Sequence, residues 1–270
     1  MSTAGSKHLT LPSTGLSRHT SDSIAYRDRD LVNDILGQKS FVEVFFYQTM
    51  DRDPSPGEVD VINSILIALM EHGLTPSVIA ARLVYSSSPE NIQAGVSAGL
   101  LAVASRFVGT MEDCARILDR VVASDDPQLA LEVAQSYRER KEPVPGFGHH
   151  LHRPDDPRVA RLLELAASRG ITGKYVAALH ELAARVDEVA GRHITINTTG
   201  AVAALLGDIG VPAGLMRGFA IVSRAAGLVA HIAEEQHHPT DRFIWNLVDT
   251  TIPFRENGDQ IAHGAERDSA

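Results

Sequence analysis

One cysteine, one tryptophan and 5% aromatic residues in 270 make this chain poor in several of the usual sources of structure. With only Cys114 there is no internal disulfide, which suits a reducing, cytoplasmic setting. The scarcity of aromatics, beside abundant Ala, Leu and Val, favours packed helices over sheets, which draw on β-branched and aromatic side chains. No run of Lys or Arg is long enough to lay a basic footprint, and the formal net charge is -9, so nucleic acid is not an expected partner. The longest apolar run, 214–232, is broken by Arg217, Arg224 and His231, whereas a spanning helix needs about 20 mostly apolar residues. No membrane partner is expected. The Ser/Thr-rich start has no apolar core of a signal peptide. Walker loops and CxxC pairs are also missing, which leaves nucleotide hydrolysis and zinc binding without support and predicts no metal.

What is present is helical periodicity between caps and breaks. Apolar spacing and start signals predict helices over 31–36, 41–50, 58–71, 77–85, 89–107, 109–123, 127–141, 156–168, 174–191, 198–206 and 214–235. Ser40 is placed to cap 41–50. The Ala/Gly density of 94–104 suits close helix–helix approach, in a buried central helix or at a dimer interface. The fold class is all-α. The expected organisation is a flexible tail over 1–24, one helical domain over 25–250 with a small lobe at roughly 126–210, and a second flexible tail over 251–270.

The segment VPGFGHHLHRPDDPR (144–158) is the most informative stretch. Gly146 and Gly148 let the backbone turn tightly and a ligand come close. His149 follows, with Arg153 and Arg158 four and nine residues on, and Asp156-Pro157 opens a helix with a cap and a first-turn proline. The bland reading is a capped loop with solvated charges. The functional one is a histidine and two guanidinium groups facing an anion, since arginine offers a planar, permanently charged fork for carboxylates.

This stretch resembles the signature loop of the citrate synthase family, Pro-Gly-Phe-Gly-His followed by Asp-Pro-Arg. Residues 25–58, the segment MEHGLTPSVIAARLV (70–84) and the segment GVPAGLMRGFAIVSRAAGLVAHIAEEQ (210–236) resemble further family stretches, in order, over roughly 25–245. The chain looks most like the compact members called citryl-CoA lyases. The resemblance implies a citrate-synthase-like multi-helix domain, a homodimer, and coenzyme A as thioester substrate or product. By position, His149 matches the histidine that exchanges a proton with the keto or hydroxyl oxygen of a dicarboxylic substrate. His72 matches a second substrate-holding histidine, and Arg158 and Arg224 match a carboxylate clamp. Arg153, with Gly146 and Gly148, falls where the family meets coenzyme A. His238 stands in place of an arginine that the family's partner subunit supplies.

Two departures stand beside these matches. Val108 occupies the place of one catalytic histidine and Thr199 that of the catalytic aspartate. Neither side chain is a base near pH 7. Thr199 is left to donate a hydrogen bond or position a water, and Glu112, beside the altered stretch, is the reserve acid or base; its plainer reading is a favourable first-turn charge. His237-His238 with Glu234-Glu235 reads as a solvated helix end, Cys114 as a packed thiol. Arg217 and Arg224, seven apart in an apolar segment, need partners, so at least one is expected to face a ligand or an ion pair. The expected activity is citryl-CoA-lyase-like: making or cleaving a carbon–carbon bond in a CoA thioester of a β-hydroxy di- or tricarboxylic acid. The alternatives are a CoA-thioester hydrolase and a catalytically silent homologue that binds a carboxylate or CoA ligand.

Overall fold

A computed structural model of the chain describes residues 12–103, 109–149 and 151–254. Two compact units divide at Val59 and Asp60, within helix α2.

The first unit holds three short antiparallel strands, β1 (Ser17–His19), β2 (Ile24–Tyr26) and β3 (Arg29–Asp30), in the order β1-β2-β3. β1 and the first residue of β2 fall within 1–24, so part of the expected flexible tail is paired chain. Strands of two or three residues are too short to show an alternating pattern, which is why none was expected. A π-helical turn, Leu31–Ile35, follows where a short helix was expected, with Asp30 accepting the Val32 and Asn33 N–H groups. Helix α1 (Phe41–Met50) starts at a full capping box: Ser40 takes the Glu43 N–H, and the Glu43 carboxylate takes that of Ser40. Its buried Phe46 and Tyr47 join Ile35 and Val42 in the core of this unit.

The second unit is helical: the rest of α2 (Pro56–Met70), then α3 (Pro76–Ser87), α4 (Ile92–Leu101), α5 (Gly109–Ala123), α6 (Leu129–Glu139), α7 (Pro157–Ser168), α8 (Lys174–Ala190), α9 (Thr198–Asp208), α10 (Ala213–Glu235) and α11 (Asp241–Thr251). Helix α9 is the hub. Its residues from Ala201 to Leu206 are fully buried, and it packs on α5, α7, α8 and α10. Burying a Leu or Val side chain contributes about 1.5–3 kcal/mol, so this one helix anchors much of the unit. The segment expected as a small lobe, α6 to α9, packs through α8 and α9 onto α5.

Helix α10 is long and apolar enough to cross a membrane by length and composition alone. Here it is a packing element, set against α3, α4, α5 and α9. The small residues of α4 serve that packing: a Cβ on Gly99 would sit 2.7 Å from Leu228 Cδ1, and one on Gly95 would sit 2.9 Å from the Ala81 carbonyl. Of the two readings of that stripe, the contacts within the chain support the buried helix. Helix α4 ends at Leu101, short of the expected 107, and 104–108 lie outside the described residues. Val108 therefore has no structural account. Helix α11 was not expected; its apolar residues face outward, as Phe243 (70% exposed) and Trp245 (64%) show.

Candidate active site

The loop between α6 and α7 carries the site, and its glycines fix its path. Gly146 (φ 90°) and Gly148 (φ 79°) lie in the left-handed region, which side chains disfavour. Gly146 also lies against Cys114 and Gly200, where a Cβ would come within 2.6 Å of the Cys114 sulfur. Burial pushes that thiol up to about 12, so Cys114 is a neutral packing group. Residues 146–148 pair with the strand-like stretch before α9. The Gly148 N–H donates to the Thr195 carbonyl (2.8 Å), and the Asn197 N–H donates to the Gly146 carbonyl (3.0 Å). The Asn197 amide adds a bond to the Gly148 carbonyl (2.9 Å). His149 thus leaves a backbone held on both sides.

His149 Nδ1 accepts the N–H groups of Leu151 (3.1 Å) and His152 (2.9 Å). Its ring lies 4.4 Å from that of His152 and 5.7 Å from that of His72, centroid to centroid. His72 arrives from the end of α2, where the Glu71 carboxylate takes the N–H groups of His72 (2.7 Å) and Gly73 (2.6 Å). One ring nitrogen from each of His72, His149 and His152 falls within 4.8 Å of the others. His152 was not foreseen as a site residue. Its signal was available: it stands three residues after His149 in the same loop.

The two arginines expected to clamp a carboxylate differ in state. Arg158 is bound to Asp156 through Nε to Oδ1 (3.0 Å) and Nη2 to Oδ2 (2.8 Å). Asp156 is fully buried, and burial alone would raise its pKa. The Arg158 side chain, the Thr198 hydroxyl and the Arg158 N–H outweigh burial and hold the carboxyl at about 2. Asp156, read from the sequence only as a cap, anchors Arg158. Arg224, on α10, has a buried Nη1 with no hydrogen-bond partner among the described residues. Burial lowers its pKa; the carboxylate of Glu71 opposes this, and the positive charge of Arg158 adds to it. Arg224 is therefore a half-buried cation near both Arg158 and the residue preceding His72.

Thr199 closes a chain of hydrogen bonds. Its hydroxyl donates to Asn197 Oδ1 (2.7 Å), so the Thr110 hydroxyl, 3.2 Å away, is the donor to Thr199. No carboxylate stands in that chain. Glu112 is paired with Arg217 Nη2 (2.6 Å), which assigns one of the two α10 arginines to an ion pair and leaves Arg224 facing the site. His238 lies exposed beyond the end of α10, which runs about 17 Å past Arg224; its expected role was toward a partner subunit.

Beside His149 opens a cavity of about 710 Å³. Gly148 and Arg153 line it, joined by Arg138, Lys141 and Arg192, with Val144, Phe147 and Val186 as apolar wall. Gly146 is not on its surface. Arg138 and Lys141 went unnoticed in the sequence, although both sit in the basic stretch just before the loop. The arrangement offers a cluster of three histidine rings, a half-buried arginine charge near the residue before His72, and a basic, partly apolar cleft beside His149.

The family model for the citrate synthase C-terminal domain matches residues 18–245. Citrate synthase 2 of Bacillus subtilis is 26% identical over 220 residues, which is 79% of this chain and 56% of that protein. The chain spans about half the length of the curated relatives it matches. Among solved structures, citryl-CoA lyase from Hydrogenobacter thermophilus superposes with a TM-score of 0.82 at 28% identity, over 93% of this chain and 97% of that one. ATP citrate lyase from Methanosaeta concilii, in complex with (3S)-citryl-CoA, gives a TM-score of 0.75 at 18% identity, over 92% of this chain and 42% of that one, a likeness of fold.

Proposed function

The chain belongs to the citrate synthase family, and from that premise we propose a citryl-CoA-lyase-like enzyme. It makes or cleaves a carbon–carbon bond in a CoA thioester of a β-hydroxy di- or tricarboxylic acid. The observation that carries the reading is Arg224, whose half-buried guanidinium has an Nη1 unpartnered among the described residues and senses the charges of Arg158 and of Glu71, the residue before His72. A buried cation without a partner is costly, and a substrate carboxylate relieves that cost. The His149 ring, whose Nδ1 accepts two backbone N–H groups, is left with Nε2 to present a proton to a hydroxyl or keto oxygen of the same substrate. Arg138, Lys141, Arg153 and Arg192 along the cavity suit the phosphates of coenzyme A, and the apolar wall suits its pantetheine arm. The match along nearly the whole length of a citryl-CoA lyase supports the compact form.

A second reading is supported by Thr199. It replaces a carboxylate with a hydroxyl already donated to Asn197, and it favours a silent homologue that binds the same ligands without turnover. Calorimetry with coenzyme A and citryl-CoA, followed by assay of oxaloacetate release, separates the two. Binding with release supports the lyase, and binding without release supports the silent homologue. Failure to bind either compound refutes both.

A further inference from the structure

His149 and His152 differ in what their rings can do. A nitrogen that accepts two N–H bonds carries no proton, so neutral His149 holds its proton on Nε2 and acts as a donor toward the cleft. A donor steadies a hydroxyl or keto oxygen. It cannot take the hydroxyl proton that cleavage of a β-hydroxy acyl chain must release. The other candidates for that task are committed elsewhere: the Thr199 hydroxyl is bonded to Asn197, and Glu112 is paired with Arg217. His152 remains. It is partly buried, its ring stacks at a tilt 4.4 Å from that of His149, and no ring nitrogen of His152 makes a hydrogen bond among the described residues.

We propose, resting on the lyase reading above, that His152 is a catalytic residue that takes the substrate hydroxyl proton and returns it to the departing acyl carbon. In the cleavage direction the O–H bond breaks and its proton moves to His152. The O–H electron pair becomes the new C=O bond of the 2-oxo acid. The carbon–carbon bond breaks, and its electron pair passes to the α-carbon of the acyl-CoA as an enolate. The proton on His152 then adds to that carbon, which leaves acyl-CoA and a neutral histidine. No other reactant is consumed, and condensation is the reverse sequence. One histidine thereby covers the proton transfers for which Thr199 has no basic group.

The spacing of the three rings also resembles a cation site. Two features oppose that use. With Nδ1 of His149 accepting two N–H bonds its Nε2 carries the proton, and Arg224 places positive charge near Glu71, the residue before His72.

The test uses the full chain, with oxaloacetate release from citryl-CoA as the rate and calorimetry with citryl-CoA as the affinity. The His152→Gln variant is expected to lose about 10²- to 10⁴-fold in kcat, the usual worth of a general acid–base, while affinity is kept. Added imidazole is expected to restore part of the rate in His152→Ala, a response that a misfolded or merely loosened protein would not give. Wild-type turnover matched by His152→Gln overturns the role of His152 and leaves the lyase reading standing. Binding without any wild-type turnover overturns both. Turnover that is lost in chelator and regained with Zn²⁺ assigns the cluster to a metal and also overturns the proposal.

Discussion

Two arginines, one buried and one half-buried, should respond in opposite ways to removal, because Arg82 is fully paired and the Nη1 of Arg224 is not. Arg224 has a buried Nη1 without a partner. Replacing it with Met keeps most of the apolar stem and removes a cation whose burial is a cost. The stability of Arg224→Met is expected to stay within about 1 kcal/mol of wild type, a Tm change of about 2–4 °C for a chain of this size. Ligand binding should fall by the worth of one charged hydrogen-bond partner, about 1.5–3 kcal/mol, or roughly 10- to 150-fold in Kd for citryl-CoA or citrate. Arg82 is the control. It is 2% exposed and binds Glu234 and Glu235, and Glu235 is itself only 3% exposed. Removing Arg82 strands a buried carboxylate, which costs about 3–5 kcal/mol, so Arg82→Met should melt roughly 6–20 °C lower. Differential scanning calorimetry and titration calorimetry on both variants decide the matter. An Arg224→Met protein that binds as wild type, or one that melts as low as Arg82→Met, would refute the assignment of Arg224 to a ligand.

Three further outcomes are expected. Asp156 has a carboxyl lowered from 3.8 to about 2, so it contributes stability that is complete above pH 4 and lost as pH falls through 2; Asp156→Asn should flatten the acid melting curve over that window, and an unchanged slope would remove Asp156 from the account. Condensation of acetyl-CoA with oxaloacetate should run well below the roughly 10 per second of ordinary enzymes, since Thr199 offers no base and one histidine has to carry both proton transfers, and turnover of that size would contradict this. The chain should sediment as a dimer at micromolar concentration, because Phe243, Trp245, Leu247 and Phe254 stand more than half exposed at its C-terminal end; a stable monomer would refute that.

Local chemistry was legible where a residue acts on its own neighbours. Ser40 with Glu43 marked the start of α1, and Asp156-Pro157 marked the start of α7, because caps bond within three residues. The left-handed turns at Gly146 and Gly148 were legible for the same reason. Helix α11 was missed although Phe243 and Leu247, and Ile244 and Val248, stand at helical spacing; what such spacing does not tell is that this apolar stripe faces outward from the chain.

The site shows where such reasoning stops. Arg217 and Arg224 looked equivalent in sequence: the same helix, seven residues apart, both in apolar surroundings. The rule that a buried charge needs a partner applied to both and could not say which would find one. Glu112 lies 105 residues before Arg217, and only the packing of α5 on α10 makes them neighbours. The same packing removes Glu112 from the list of free acids and, by satisfying one arginine, leaves the other as the one proposed to meet an anion. His152 was hidden by the opposite circumstance. It stood in plain view three residues from His149, but its proposed use follows only from the tautomer that two backbone N–H groups impose on that ring. Residue identity sets which chemistry is available at a site, and the hydrogen bonds already made there decide which of those groups is left to perform it.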